Sequence, residues 1–302
     1  MGVKVNEYHA FEIDKHALQV AKRNHPETLH HGSVVGYDFS KFSGVDLLIG
    51  GSPCQGFSFA GKGLAFEDER SKLFFEFLRA KDEMKPKNFL LENVKMKKQH
   101  QDVISFMLDC EPVLINSALV SAQNRQRNYW CNWDIQQPAN KNIYLKDIIE
   151  EGVVDRDKSY CIDANYWKGT TLEQYITKGR RQVAFTERRT EESKRIRREF
   201  QTKYGRDFSP RRGKEMVARE DGKMNCLTAT FSLKEHSLID EKLYYRKLTP
   251  IECERLQTLP DQYTSGVSTS QRYKMLGNGW TVDVITHILK QLYGDNHIRQ
   301  YH

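Results

Sequence analysis

Two short apolar runs, VDLLIGG (45–51) and NFLLENV (88–94), constrain this chain more than any other feature. Each is apolar at consecutive positions, so a strand built from it has both faces covered, and each ends at a turn or a polar residue. Between them, DERSKLFFEFLRAKDEM sets Leu73, Phe74, Phe77 and Leu78 on one helical face. A strand, a helix and a second doubly covered strand predict the α/β class, a mostly parallel sheet with helices packed on it. The alternation continues on either side. EYHAFEI reads as a strand, DKHALQVAKRN as a helix opened by Asp14, DVISFMLD as a helix, and VLINSALV and RNYWCNW as strands.

After about residue 140 the texture changes. Residues 150–225 are polar, basic and weakly periodic, with Tyr160, Tyr166, Trp167, Tyr175 and Phe185 spread among the charges. Regular patterning returns at RKLTPIECERLQTLP. The closing stretch TVDVITHILKQLYG puts Ile285, Ile288, Leu289 and Leu292 on one face and stops at Gly294, a C-cap residue. The expected organisation is a catalytic body over 1–145, a smaller irregular module over 146–243, and a segment over 244–302 that rejoins the body.

The formal net charge is +7, but it is not spread evenly. Lys178 to Arg219 holds 15 Lys and Arg against 6 Asp and Glu, a local +9 that leaves the rest slightly negative. TERRTEESKRIRREF alone is a solvated helix of paired charges, whereas KGRR and SPRRGK have few acids to offset them and suit phosphate contact. No apolar run reaches 18 residues, so a spanning helix is excluded, and the first residues carry no secretory signal. Six cysteines without a CxxC pair argue against a structural metal or a disulfide framework. The expected setting is reducing and cytoplasmic, with no metal and no membrane partner.

Three clusters carry chemistry. In GGSPCQGFS, Cys54 follows a buried strand and lies in a turn marked by Pro53 and glycines, where backbone amides can lower a thiol's pKa. In LLENV, Glu92 ends a second apolar strand, where a carboxylate is costly unless paired or working. Both strands end on one edge of a parallel sheet, so a nucleophile and a protonatable acid can face one pocket. In SAQNRQRNYW, Gln123, Arg125 and Arg127 alternate at strand period and offer planar donors to a base carbonyl or a phosphate.

The order PCQ, ENV, QNRQR, RKLTPIECERLQTLP and GNGW, over residues 45–135 and 244–294, resembles the DNA cytosine-5 methyltransferases. The LFFEF helix and SVSTSQRYKMLGNGWTVDVI look most like the de novo methyltransferase branch and its bacterial and phage relatives. The resemblance implies a Rossmann-like S-adenosylmethionine-dependent methyltransferase fold with a smaller target-recognition domain, acting on double-stranded DNA. It implies that Cys54 adds to C6 of a flipped-out cytosine and that Glu92 holds or protonates N3. Arg125 and Arg127 would steady the base and the reactive loop. Gln55, Ser58, Gln123, Arg180, Arg181, Arg211, Arg212 and Thr228 are its expected DNA contacts. Glu12, Ile13, Asp46, Pro53, Asn278 and Trp280 are its expected cofactor contacts.

The departures concern the cofactor. The family begins with a strand, an FxGxG turn and a helix before the acid that Glu12 matches, yet only eleven residues precede Glu12. Ser33 stands where an adenine-binding Asp is usual. The expectation is a fold truncated at its N-terminal cofactor unit, with a partner chain supplying that unit. Two rival readings are a non-catalytic DNA-binding relative and, less favoured by the long basic module, an RNA methyltransferase of similar fold.

Overall fold

The computed structural model describes residues 3–51, 69–187, 202, 214–215 and 243–294. The chain opens with a parallel strand–helix–strand unit: β1 (His9–Ala10), α1 (Lys15–Asn24) and β2 (Leu29–His30). Asp14 starts α1 by accepting the amides of His16 and Ala17, and Lys22 and Arg23 complement the dipole in its last turn. The EYHAFEI strand shortens to two residues.

The main sheet contains β3 (Leu47–Gly51), β4 (Asn88–Val94), β5 (Val113–Asn116) and β6 (Gln126–Cys131), in the order β3-β4-β6-β5. The strands β3 and β4 are parallel and joined through α2 (Glu69–Met84), while β6 runs antiparallel to both β4 and β5. Its consecutive apolar residues divide as the strand period requires. Phe89 and Leu91 join Phe74 and Phe77 of α2, Trp130, and Ile104 and Leu108 of α3 (Lys98–Leu108) on one face. Leu90 turns to the other face with Ile115, Tyr129, Cys131, Val284 and Ile288. VLINSALV gives a strand only as far as Asn116, whose side chain accepts the Ala118 amide and turns the chain into a 3-10 segment.

A second core gathers Leu145, Ile162, Tyr166, Ala184, Leu248, Cys253, Leu256, Tyr273 and Leu276. This part of the chain carries α4 (Leu172–Lys178), the antiparallel strands β7 (Val183–Glu187), β8 (Lys214–Glu215) and β9 (Leu243–Lys247), α5 (Pro250–Leu256) and α6 (Thr269–Asn278), of which β7, α5 and α6 contribute to the core. The LTPIECERL stretch is a helix start: Thr249 and Glu252 form a capping box around Pro250. Arg246 closes it by pairing with the fully buried Glu252 at 2.6 Å. The helix α7 (Val282–Tyr293) crosses back to the main sheet. Its inward residues are Val284 and Ile288, with Ile285 beside them, a narrower stripe than the sequence pattern suggests. Gly294 ends it at φ 64°.

Among the described residues no helix is long and apolar enough to cross a membrane, and no His, Cys, Asp and Glu cluster suits a metal ion.

Candidate active site

The carboxyl end of β3 meets that of β4 with Gly51 directly beside Glu92. Glu92 is 7% exposed, and both of its oxygens have a donor. Arg127 Nε lies 2.9 Å from Oε1, and the Trp280 indole Nε1–H donates to Oε2 at 3.0 Å. The first contact follows from register. Arg127 pairs with Val94, two residues beyond Glu92 and on the same face, so the long guanidinium side chain reaches its diagonal neighbour. Burial pushes the Glu92 carboxyl above the ordinary range, and Arg127, Arg125 and the Trp280 hydrogen bond pull the other way. A carboxyl so placed can hold or release a proton at an edge that a planar ligand can approach.

The glycines of VDLLIGG make this packing possible. A Cβ on Gly50 would lie 2.5 Å from Phe77 Cδ2, and one on Gly51 would lie 3.0 Å from Trp280 Cζ2 and 3.3 Å from Glu92 Oε2. The end of β3 is therefore bare on both faces, one for α2 and one for the indole.

Arg125 lies behind this face. It is 3% exposed and donates to the carbonyls of Ile162 at 3.1 Å, Gly277 at 3.2 Å and Gly279 at 2.7 Å. It thus fixes the turn that carries Trp280. Gln257, fully buried, reinforces the same turn. Its Nε2 donates to Leu276 and Gly279, and its Oε1 accepts from Gln123 and Thr281. Gln123, an expected DNA contact, is placed in the interior. It is 0% exposed, with its amide spent on Leu256, Gln257 and Ile162. Gln123 and Arg125 precede β6, so its alternation does not extend to them, and α5 covers Gln123.

A second acid lies at the end of β1. Glu12 Oε1 accepts the amides of Ile13 and Asp14, each at 2.7 Å, and Oε2 takes no bond from the described residues. Beside it Ile13 is 77% exposed. An anchored carboxylate with one open oxygen next to bare apolar surface fits a ribose diol and a purine, the nucleoside half of S-adenosylmethionine. The helix behind it is tied to the far end of the chain. Lys274 of α6 pairs with Asp14 at 2.7 Å, and Arg23 donates to the carbonyls of Gln262, Tyr263 and Ser265. Neither tie has a short-range sequence signal.

Asp46 is corrected. It precedes β3, pairs with Lys87 at 2.5 Å, and lies a strand length, about 17 Å at 3.3 Å per residue, from the Gly51 end. A strand start is the wrong edge for a ligand held at strand ends. Asn278 is exposed beside Trp280, and Arg180 is exposed, whereas Arg181 is half-buried with its guanidinium on the Gly169 carbonyl. Pro53, Cys54, Gln55, Ser58, Arg211, Arg212 and Thr228 lie outside the described residues.

Solved structures place this architecture in a class. An Entamoeba histolytica methyltransferase aligns over 95% of this chain and 89% of its own at a TM-score of 0.62 and 15% identity. A Spodoptera frugiperda DNMT2 variant covers 97% and 94% at 0.58 and 20% identity. The fold is that of the S-adenosylmethionine-dependent α/β methyltransferases. Residues 1–294 match the model of the C-5 cytosine-specific DNA methylases, and the chain belongs to that family of DNA (cytosine-5) methyltransferases. Among its relatives, the type II methyltransferase M1.ScrFI of Lactococcus lactis subsp. cremoris is 32% identical over 96% of this chain and 72% of its own. M.NlaX of Neisseria lactamica is 30% identical over 93% and 86%, and the orphan methyltransferase M.SPRI of Bacillus phage SPR 27% over 93% and 90%.

Proposed function

We propose that this chain methylates C5 of a cytosine flipped out of double-stranded DNA, through a covalent bond between Cys54 and C6. The observation that carries this reading is the buried Glu92 at the β3–β4 edge, held by Arg127 and Trp280. Cys54 follows Gly51 by three residues, which reach at most about 11 Å. On this reading the acid and the nucleophile act at one strand end.

Cytosine C5 is a weak nucleophile until C6 carries an added group. The Cys54 thiolate forms the S–C6 bond, and the ring electrons move toward N3, where the Glu92 carboxyl supplies or holds the proton. When bound, S-adenosylmethionine supplies the electrophilic methyl group that C5 takes up. Loss of the C5 proton to a base then breaks the S–C6 bond and returns the thiolate. Glu12 and Ile13 would hold the nucleoside half of the cofactor. Arg127, already at the carboxylate, lies where it can orient the base. A stacked base cannot reach two strand-end side chains, so the target must leave the duplex. Arg180, Arg211, Arg212 and Thr228, with Gln55 and Ser58, are assigned to the DNA.

Incubating the chain with duplex DNA containing 5-fluorocytosine and S-adenosylmethionine tests the reading, because fluorine at C5 cannot leave as a proton and the adduct is trapped. A denaturation-resistant complex is expected for the wild type and is absent for Cys54→Ala. DNA binding without an adduct would support a regulatory relative.

A further inference from the structure

A carboxylate that manages a proton for a planar base must present one edge in a fixed plane. Glu92 has two soft torsions beyond its Cβ, and a single anchor would leave it free to swing. Arg127 supplies one anchor, on Oε1. The other, on Oε2, is Trp280, 188 residues away. The indole has little freedom of its own. Gly51 passes beneath it within van der Waals distance, and the turn that bears it is clamped through the Gly279 carbonyl by Arg125 at 2.7 Å and Gln257 at 3.2 Å. The following residue, Thr281, is buried and bonds to Gln257. A side chain braced this heavily, with its one polar atom spent on the site acid, does more than line a cofactor pocket.

We propose that Trp280 is a positioning residue for the methyl transfer, whose indole N–H fixes Oε2 of Glu92 and sets the plane and the proton affinity of that carboxyl before the base arrives. This rests on the role given to Glu92 above. Each carboxylate oxygen keeps a second lone pair, so Oε2 can accept from Trp280 and still meet the ring edge. Among the described residues, the charged and titratable groups facing Glu92 are Arg127, Arg125 and Tyr129. Trp280 is thus its uncharged donor among the described residues, one that strengthens the anion without adding a second neighbouring cation.

The test is a carboxyl titration of the full chain. Glutamate is labelled with ¹³C at its side-chain carboxyl, and the Glu92 signal is assigned by its loss in Glu92→Gln. In Trp280→Phe the midpoint should rise by about 0.5–1 unit, the equivalent of one neutral hydrogen bond to the charged form. In parallel, kcat should fall about tenfold while KM for S-adenosylmethionine changes less than twofold. In the wild type the Trp280 indole ¹H–¹⁵N signal should titrate with Glu92 and cease to do so in Glu92→Gln, a readout that needs no Trp280 variant to fold. An unmoved midpoint, or a loss carried entirely by KM for the cofactor, overturns the proposal and leaves Trp280 a cofactor contact. Retained methylation in Glu92→Gln instead overturns the role of Glu92, whatever the titration shows.

Discussion

Glu92 sits where two opposed effects meet. Burial disfavours its charge, and two arginines with an indole N–H favour it, burial being the larger. An acid whose proton binds more tightly in the folded chain adds stability below its unfolded value, here 4.5, and loses it as pH rises through the higher folded value. Thermal unfolding followed across pH should therefore show wild type falling relative to Glu92→Gln as pH rises above 4.5. Equal pH slopes would mean that the carboxyl is not perturbed. Gly51 tests the same corner sterically. In Gly51→Ala the new methyl would crowd the indole at 3.0 Å, so kcat should fall about tenfold, roughly 1.4 kcal/mol, with the midpoint of unfolding little changed. The chemistry of this corner was partly legible beforehand. The residues Glu92 and Arg127 were named from an acid closing an apolar run and from strand alternation. Trp280 was read only as a cofactor contact, because nothing local ties positions 92 and 280 together.

The elements were legible to the extent that their own sequence determines them. Both glycine- and glutamate-ended runs became neighbouring parallel strands, and the Leu-Phe-Phe face of α2 packs where its period placed it. The antiparallel β6 was not foreseen in the sheet's centre, since apolar content does not record strand direction. The surroundings of Gln123 and Asp46 were likewise not legible. Residue type and phase say which way a side chain points, but not what covers it or which end of the strand it occupies. One element-scale contact admits no tolerance. Gly277 in α6 packs so closely on the 163–164 backbone that a Cβ would lie 2.1 Å from the Asp163 carbonyl carbon. In Gly277→Ala either the helix or that turn must shift. A loss of about 3 kcal/mol is expected, read as a fall of about 6 °C or more in the unfolding midpoint. A midpoint unchanged within 1–2 °C by that measurement would show the helix free to move there.

Across the whole molecule, the two ends of the site belong to distant parts of the chain. The end proposed for the cofactor's nucleoside lies beside α1, which is tied to the segment before α6 and to α6 itself by Arg23, Asn24 and the Asp14–Lys274 pair. Arg23 touches neither Glu92 nor Trp280, so its loss should act on cofactor binding alone. Calorimetry with S-adenosylmethionine should give a several-fold weaker Kd for Arg23→Ala, while kcat at saturating cofactor stays within twofold, the scale of a few exposed hydrogen bonds. A fall in kcat with Kd unchanged would place the effect elsewhere. None of these long-range ties could be read from spacing, since each joins residues 239 to 260 positions apart. The basic module was visible as a charge excess, and Arg125 and Lys158 tie it to the body through backbone carbonyls, whereas the Gln257–Gln123 joint of the returning segment is uncharged.

That uncharged joint has a bearing on protein engineering. Gln257 links Gln123 of the body, the carbonyls of Leu276 and Gly279, and Thr281 at the head of α7. A chimera that exchanges residues 146–243 with a relative's should keep its crossovers outside this amide relay, on the β7 side and before Arg246. A splice that pairs one parent's Gln123 with another parent's residue at 257 would break the relay that steadies the turn bearing the Trp280 indole.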